Sequence, residues 1–159
     1  MAAASRNVLL PVDGSDQSRK AFEWYCTHLY HEGDTAIFLN VYILPEMYDA
    51  SLTWPAVKDV AEDWNYNQHV KEKEADELLQ RYEKKCKENC FSSKSNKIPL
   101  SFGDAGKVAE KICDFSVEEK ADIIVMNHHG DKTEGEELGS TCSYCVKNAK
   151  IPVCVLFLP

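Results

Sequence analysis

Five short apolar runs, separated by segments of helical periodicity, restrict this chain to a small set of folds. The runs are "NVLLPV" at 7–12, "TAIFLNVYIL" at 35–44, "IPLSFG" at 98–103, "ADIIVMN" at 121–127 and "IPVCVLFL" at 151–158. Each is too short to be a core helix and reads as a buried strand. Between the first two, Phe22, Tyr25, Cys26 and Leu29 recur at i, i+3, i+4 and i+7. Ser15 or Asp16 stands ready to cap that helix and Gly33 to end it. A long helix is predicted from about Lys58 to Asn89, with Glu77–Arg81 and Glu83–Lys87 as i, i+4 pairs on its wet face. Asp104 is placed to cap a third helix carrying Val108, Ile112 and Phe115, and a short fourth helix runs from Ser140 to about Lys150. Strands that alternate with helices imply an α/β sheet with parallel strands and right-handed crossovers.

Two connecting segments read as irregular. "PEMYDASLTWPAV", about 45–57, has two prolines and several aromatics, as a long surface loop would. "FSSKSNK" reads as a polar connector before the third strand, where Pro99 favours an edge position. With 159 residues, 44% hydrophobic and 28% charged, the chain is expected to form a single domain over 1–159. Its net charge of −8 argues against broad nucleic-acid binding. No apolar run reaches the roughly 18 to 20 residues of a membrane span, so the expectation is a cytoplasmic protein. The seven cysteines, an odd number in a chain with a sufficient core, are expected to be reduced.

The stretch "NVLLPVDGS", the middle segment "GDAGKVAEKICDFSVEEKADIIVMN", and "GS" opening the last helix before "IPVCVLFLP" together resemble the universal stress protein family. The resemblance covers essentially the whole chain. It implies a Rossmann-like, five-stranded, mostly parallel sheet in the order 3-2-1-4-5 with helices on both faces. A ligand site would lie outside the carboxyl ends of strands one and four. It also implies an adenine-nucleotide binder, taking ATP or AMP with magnesium, that serves as a stress-response sensor or switch. Asp13 and Val41 would face adenine and ribose, with Pro11 and Met126 lining the same pocket. Gly130, Gly139 and Ser140 would face the phosphates, and one of the histidines that follow Asn127, His129 among them, would touch ligand. A family member that no longer binds nucleotide and acts as a protein-interaction scaffold is the alternative.

Nucleotide-binding members of that family carry G, two residues, G, nine residues, G, then Ser or Thr. Here Asn127 stands at the first glycine and only eight residues separate Gly130 from Gly139. Cys142 falls where a hydroxyl residue often lies near the phosphates, and a thiol is a poorer donor. Asp131, Glu134, Glu136 and Glu137 against Lys132 leave the loop at net −3. At about 7 Å in water each unit pair of like charges costs roughly 0.6 kcal/mol. Nucleotide binding is therefore expected to depend on the metal and to favour ATP over AMP only weakly.

Several residues have a structural reading beside the functional one. Asp13 could hold a turn or cap the first helix, and Ser140 could be an N-cap. "CSYC" invites a redox or zinc reading, but Cys142, Cys145, Val146 and Ala149 form a helical stripe of the kind that faces a core. Zinc would need two more ligands. No Ser-His-Asp set and no paired carboxylates suggest a hydrolase, so ATP hydrolysis would be slow at most. The last strand is apolar on both faces, and as a sheet edge it predicts a homodimer through residues 152–158.

Overall fold

A computed structural model describes residues 4–47, 54–128 and 138–159. Five strands, β1 (Asn7–Pro11), β2 (Thr35–Ile43), β3 (Ser92–Leu100), β4 (Ile123–Asn127) and β5 (Val153–Leu156), form one parallel sheet in the order β3-β2-β1-β4-β5. The four α-helices are α1 (Asp16–Trp24), α2 (Trp54–Glu88), α3 (Val108–Glu118) and α4 (Ser140–Asn148). Strand side chains alternate between two cores. Val8, Leu10, Phe38 and Val125 pack with Phe22, Leu79 and Tyr82 of α1 and α2. Leu9, Ile37, Ile124 and Met126 pack with Ile112, Phe115 and Cys145 of α3 and α4.

The chain order reverses between β1 and β4, so a crevice opens beyond their carboxyl ends. The elements that shape it are fixed locally. Gly14 takes φ +79°, a left-handed conformation open to glycine, which turns the chain from β1 into α1. Ser15 caps α1 by accepting from the Ser18 N–H. The buried Asn40 amide donates to the Val12 carbonyl at 2.7 Å and so fixes the end of β1 against β2.

The structure corrects several boundaries. α1 passes into a π-helical turn at Tyr25–Leu29, closed by the Tyr30 N–H on the Tyr25 carbonyl, and Gly33 instead serves the turn into β2 with φ +96°. Of the stretch expected as a loop, 45–57, residues 54–57 belong to α2, which begins at Trp54; residues 48–53 lie outside the described residues. The Trp64 indole N–H, bonded to the Pro45 carbonyl at 2.9 Å, ties the helix back to the end of β2. The polar "connector" is the first part of β3, whose nine residues pair with β2 from Ser92–Thr35 to Leu100–Ile43. Backbone pairing needs no apolar side chains at an edge, and the lysines there discourage further pairing. Lys97 holds α2 onto this strand through Asp76 at 2.7 Å and Glu72 at 3.0 Å. Asp104 does not cap α3; it lies in a 3-10 segment, Phe102–Lys107, and pairs with Lys107. Among the described residues neither expected pair, Glu77–Arg81 nor Glu83–Lys87, forms an ion pair; Glu77 pairs with Lys73 and Glu88 with Lys84. Among the described residues no helix is long and apolar enough to cross a membrane.

Candidate functional site at the carboxyl ends of the central strands

A cavity of about 260 Å³ occupies the crevice. Its walls come from the end of β1 and the turn after it, from β2, from β4, from α3 and from the first turn of α4. Pro11, Asp13, Val41, Met126, Asn127, Gly139, Ser140 and Cys142 all line it. His129 and Gly130, also singled out in the sequence, lie outside the described residues. Leu39, Val108 and Ile112 supply further apolar wall, while Ser18 and Thr141 add hydroxyls. Ser18 was not signalled by the sequence, because a serine three residues into a helix reads as a surface position; here it is buried. Val108 and Ile112 were legible only as a core stripe.

Asp13 performs the turn-forming role directly: its Oδ1 accepts from the Ser15 N–H at 3.0 Å. The same side chain lines the cavity, so the structural and ligand-facing readings are compatible. Gly139, not Ser140, is the N-cap of α4, with φ −51° and ψ 152°. A glycine brings no capping side chain, so the first turn of α4 meets the cavity with backbone N–H groups and the positive end of the helix dipole. The Gly139 N–H itself is directed to His128 Nδ1 at 3.3 Å, and the His128 ring packs beside Phe157 at 5.2 Å.

Asn127, which stands at the first glycine of the family motif, lines the cavity and has structural partners of its own. Among the described non-glycine residues only Cys90 and Lys120 have positive φ, so the strand end at 127 makes no demand for glycine. Its buried side chain donates to Gln17 Oε1 at 2.7 Å and accepts from the Leu158 N–H at 3.2 Å. The residue therefore joins β4 to α1 and to the chain after β5, and its carbonyl accepts from Cys142 Sγ at 3.8 Å.

The cysteine pair belongs to the core. Cys142 and Cys145 are buried in the α3/α4 layer, and Cys145 directs its thiol to the Ala109 carbonyl. Burial pushes the Cys145 thiol well above its usual range, away from the thiolate that redox or metal chemistry requires. Val146 departs from the expected stripe and is exposed. Among the described residues no cluster of three metal-ligating side chains occurs.

A model of the universal stress protein family matches residues 4–156. Universal stress protein MJ0531 of Methanocaldococcus jannaschii is 31% identical over 157 residues, covering 97% of this chain and 83% of its own length. The solved structure of hypothetical protein MJ0577 superposes with a TM-score of 0.72 at 21% identity, over 97% of this chain and 96% of that one. An Arabidopsis thaliana universal stress protein family protein with AMP bound superposes with a TM-score of 0.62 at 15% identity, over 97% and 92% of the two chains.

Proposed function

Because this chain belongs to the universal stress protein family, we propose that it binds an adenine nucleotide, ATP or AMP with magnesium, in the switch-point cavity and acts as a stress-response sensor or switch. The observation that carries this reading is convergence: eight side chains or backbones chosen from four separate sequence segments line one crevice. The apolar wall of Pro11, Leu39, Val41 and Met126 suits a base, and Asp13 suits a ribose hydroxyl or an exocyclic amine. The uncapped first turn of α4, at Gly139 and Ser140, suits a phosphate. By the family pattern Gly130 would complete the phosphate side. The relative with AMP bound supports the same ligand class.

Turnover is expected to be slow at most. The sequence offers no Ser-His-Asp set and no paired carboxylates at a recognisable spacing.

Titration calorimetry of nucleotide-stripped protein with ATP and AMP, each with and without magnesium, tests the reading. Val41→Trp fills the cavity and is expected to reduce affinity by about a hundredfold or more. Asp13→Ala is expected to weaken binding by about tenfold. Absence of heat from folded wild type in every condition would reject the nucleotide site in favour of the scaffold reading. A strong, metal-independent preference for ATP would reject the part played by the acidic loop.

The same reading includes a homodimer through β5. This strand is a sheet edge, and Phe157 just beyond it is 62% exposed. A two-fold axis would cover both. Light scattering at micromolar concentration is expected to give twice the chain mass, and Phe157→Lys to shift it toward the monomer. A wild-type monomer would end this part of the proposal.

A further inference from the structure

A second recess, about 350 Å³, lies between α1 and α2 on the outer side of the Gly14–Ser15 turn. Its walls carry Arg19, Arg81 and Lys85 against one carboxylate, Asp16, so a chain of net charge −8 gathers a formal +2 in one cleft. Asp16 is already engaged by Arg19 and Lys20, and Arg19 also by Glu23. Arg81 and Lys85, one helical turn apart on the same face of α2, have no carboxylate partner among the described residues. The acid four residues before Arg81, Glu77, is drawn off to Lys73 at 3.8 Å. Two like charges side by side on a helix repel, and an oxyanion between them would remove that repulsion while accepting charge-assisted hydrogen bonds.

The cleft also adjoins the candidate nucleotide cavity. Tyr82, in the cleft wall and 5% exposed, places its hydroxyl 3.4 Å from Ser18 Oγ, which lines the inner cavity. Arg81 further lines a wide groove that reaches Asp13 and Val41, the two residues proposed to face the nucleoside. That groove also contains Lys71, Glu46 and Glu74; Lys71 and Glu74 pair with each other at 3.1 Å. We infer that Arg81, with Lys85 and Arg19, forms an oxyanion subsite in the α1–α2 cleft that takes a phosphate group distinct from the one at Gly139 and Ser140.

This phosphate could be carried by the nucleotide itself, as in a nucleoside bisphosphate, or arrive as a free ion beside the nucleotide; the cleft chemistry is the same. Only the tethered source rests on the proposed nucleotide site. Calorimetry separates the two, comparing AMP, adenosine 3′,5′-bisphosphate and inorganic phosphate at matched ionic strength, on wild type, Arg81→Gln and Arg81→Ala. If the group is tethered, the bisphosphate binds about tenfold tighter than AMP, and both variants lose that gain while keeping wild-type AMP affinity. If it is a free ion, AMP-saturated wild type takes up inorganic phosphate and neither AMP-saturated variant does. Phosphate binding that depends on Arg81 without any AMP binding would keep the cleft and reject the nucleotide reading. AMP binding with no Arg81-dependent response to either phosphate source would overturn the subsite and leave the nucleotide reading standing. Loss of AMP affinity in both variants, with unchanged melting, would also overturn it, by placing Arg81 in the mononucleotide site.

Discussion

Replacing Asp34 by Asn is expected to lower stability by about 2–4 kcal/mol while leaving nucleotide affinity unchanged. Asp34 lies just before β2, is 1% exposed, and receives both arms of the Arg6 guanidinium, Nε at 2.9 Å and Nη2 at 2.6 Å. The His31 N–H adds a bond at 3.0 Å, and Arg6 continues to the Leu29 carbonyl. This cluster pins the amino ends of β1 and β2 to the end of the π-helical turn. An amide can accept one arm but not both, and it carries no charge, so the guanidinium loses its bidentate partner in a largely dry site. The Arg6 side chain is 32% exposed and regains some water, which keeps the cost below that of a fully buried orphan charge. The cavity lies at the opposite, carboxyl ends of these strands, so ligand contacts are not involved.

The pH dependence of the same pair has a definite sign. Burial raises the Asp34 carboxyl, but the Arg6 hydrogen bond and the His31 N–H outweigh it, and the net shift is downward from the ordinary 3.8. A folded-state value below the unfolded one gives stability that is full above about pH 4–5 and disappears as pH falls through the folded value. Urea denaturation should therefore show a large gap between wild type and Asp34→Asn at pH 7, with a lower midpoint and an unchanged slope. The gap should narrow below about pH 3.5. A gap under about 1 kcal/mol at pH 7, or one that widens in acid, would contradict this account of the pair.

What the sequence revealed about this fold was set by side-chain burial. β1, β2 and β4 are legible because they are flanked on both sides and must be apolar, and Asp13–Gly14–Ser15 is legible because turn and cap chemistry needs those residue types. The first part of β3 is not legible: "SSKSN" pairs through its backbone at the edge, where the pattern of apolar residues carries no information. The start of α2 was hidden by Pro55, which suggests a loop although the first turn of a helix tolerates it. At the site, Gly139 and Ser140 were legible from the family resemblance and from the anion-binding chemistry of a helix N-terminus. Ser18 and the cationic face of α2 were not, since they depend on which faces of α1 and α2 meet. Asn127 was visible as a departure from the family's glycine, but its bonds to Gln17 and Leu158 were not, because a motif comparison does not register the partners that a new side chain acquires.

Restoring that glycine is accordingly expected to harm the protein. Asn127→Gly removes the bond to Gln17 and the acceptor of the Leu158 N–H, and places the most flexible residue at the end of a central strand. Two part-buried hydrogen bonds at about 1 kcal/mol each, with about 0.5–1 kcal/mol for glycine in a strand, give an expected loss of about 2–4 kcal/mol. Affinity for AMP should stay within about threefold of wild type, because the side chain is turned to α1 and the chain end while the backbone already has a conformation open to any residue. Chemical denaturation beside calorimetry measures both quantities. Asn127→Ala serves as a control, since it removes both bonds without adding glycine's backbone freedom, and its stability should fall between wild type and the glycine variant. A glycine variant that keeps wild-type stability and binds AMP more than about tenfold tighter would show that Asn127 obstructs the ligand. In that case the departure from the family's glycine motif would be a loss in the site rather than the gain of a structural clamp.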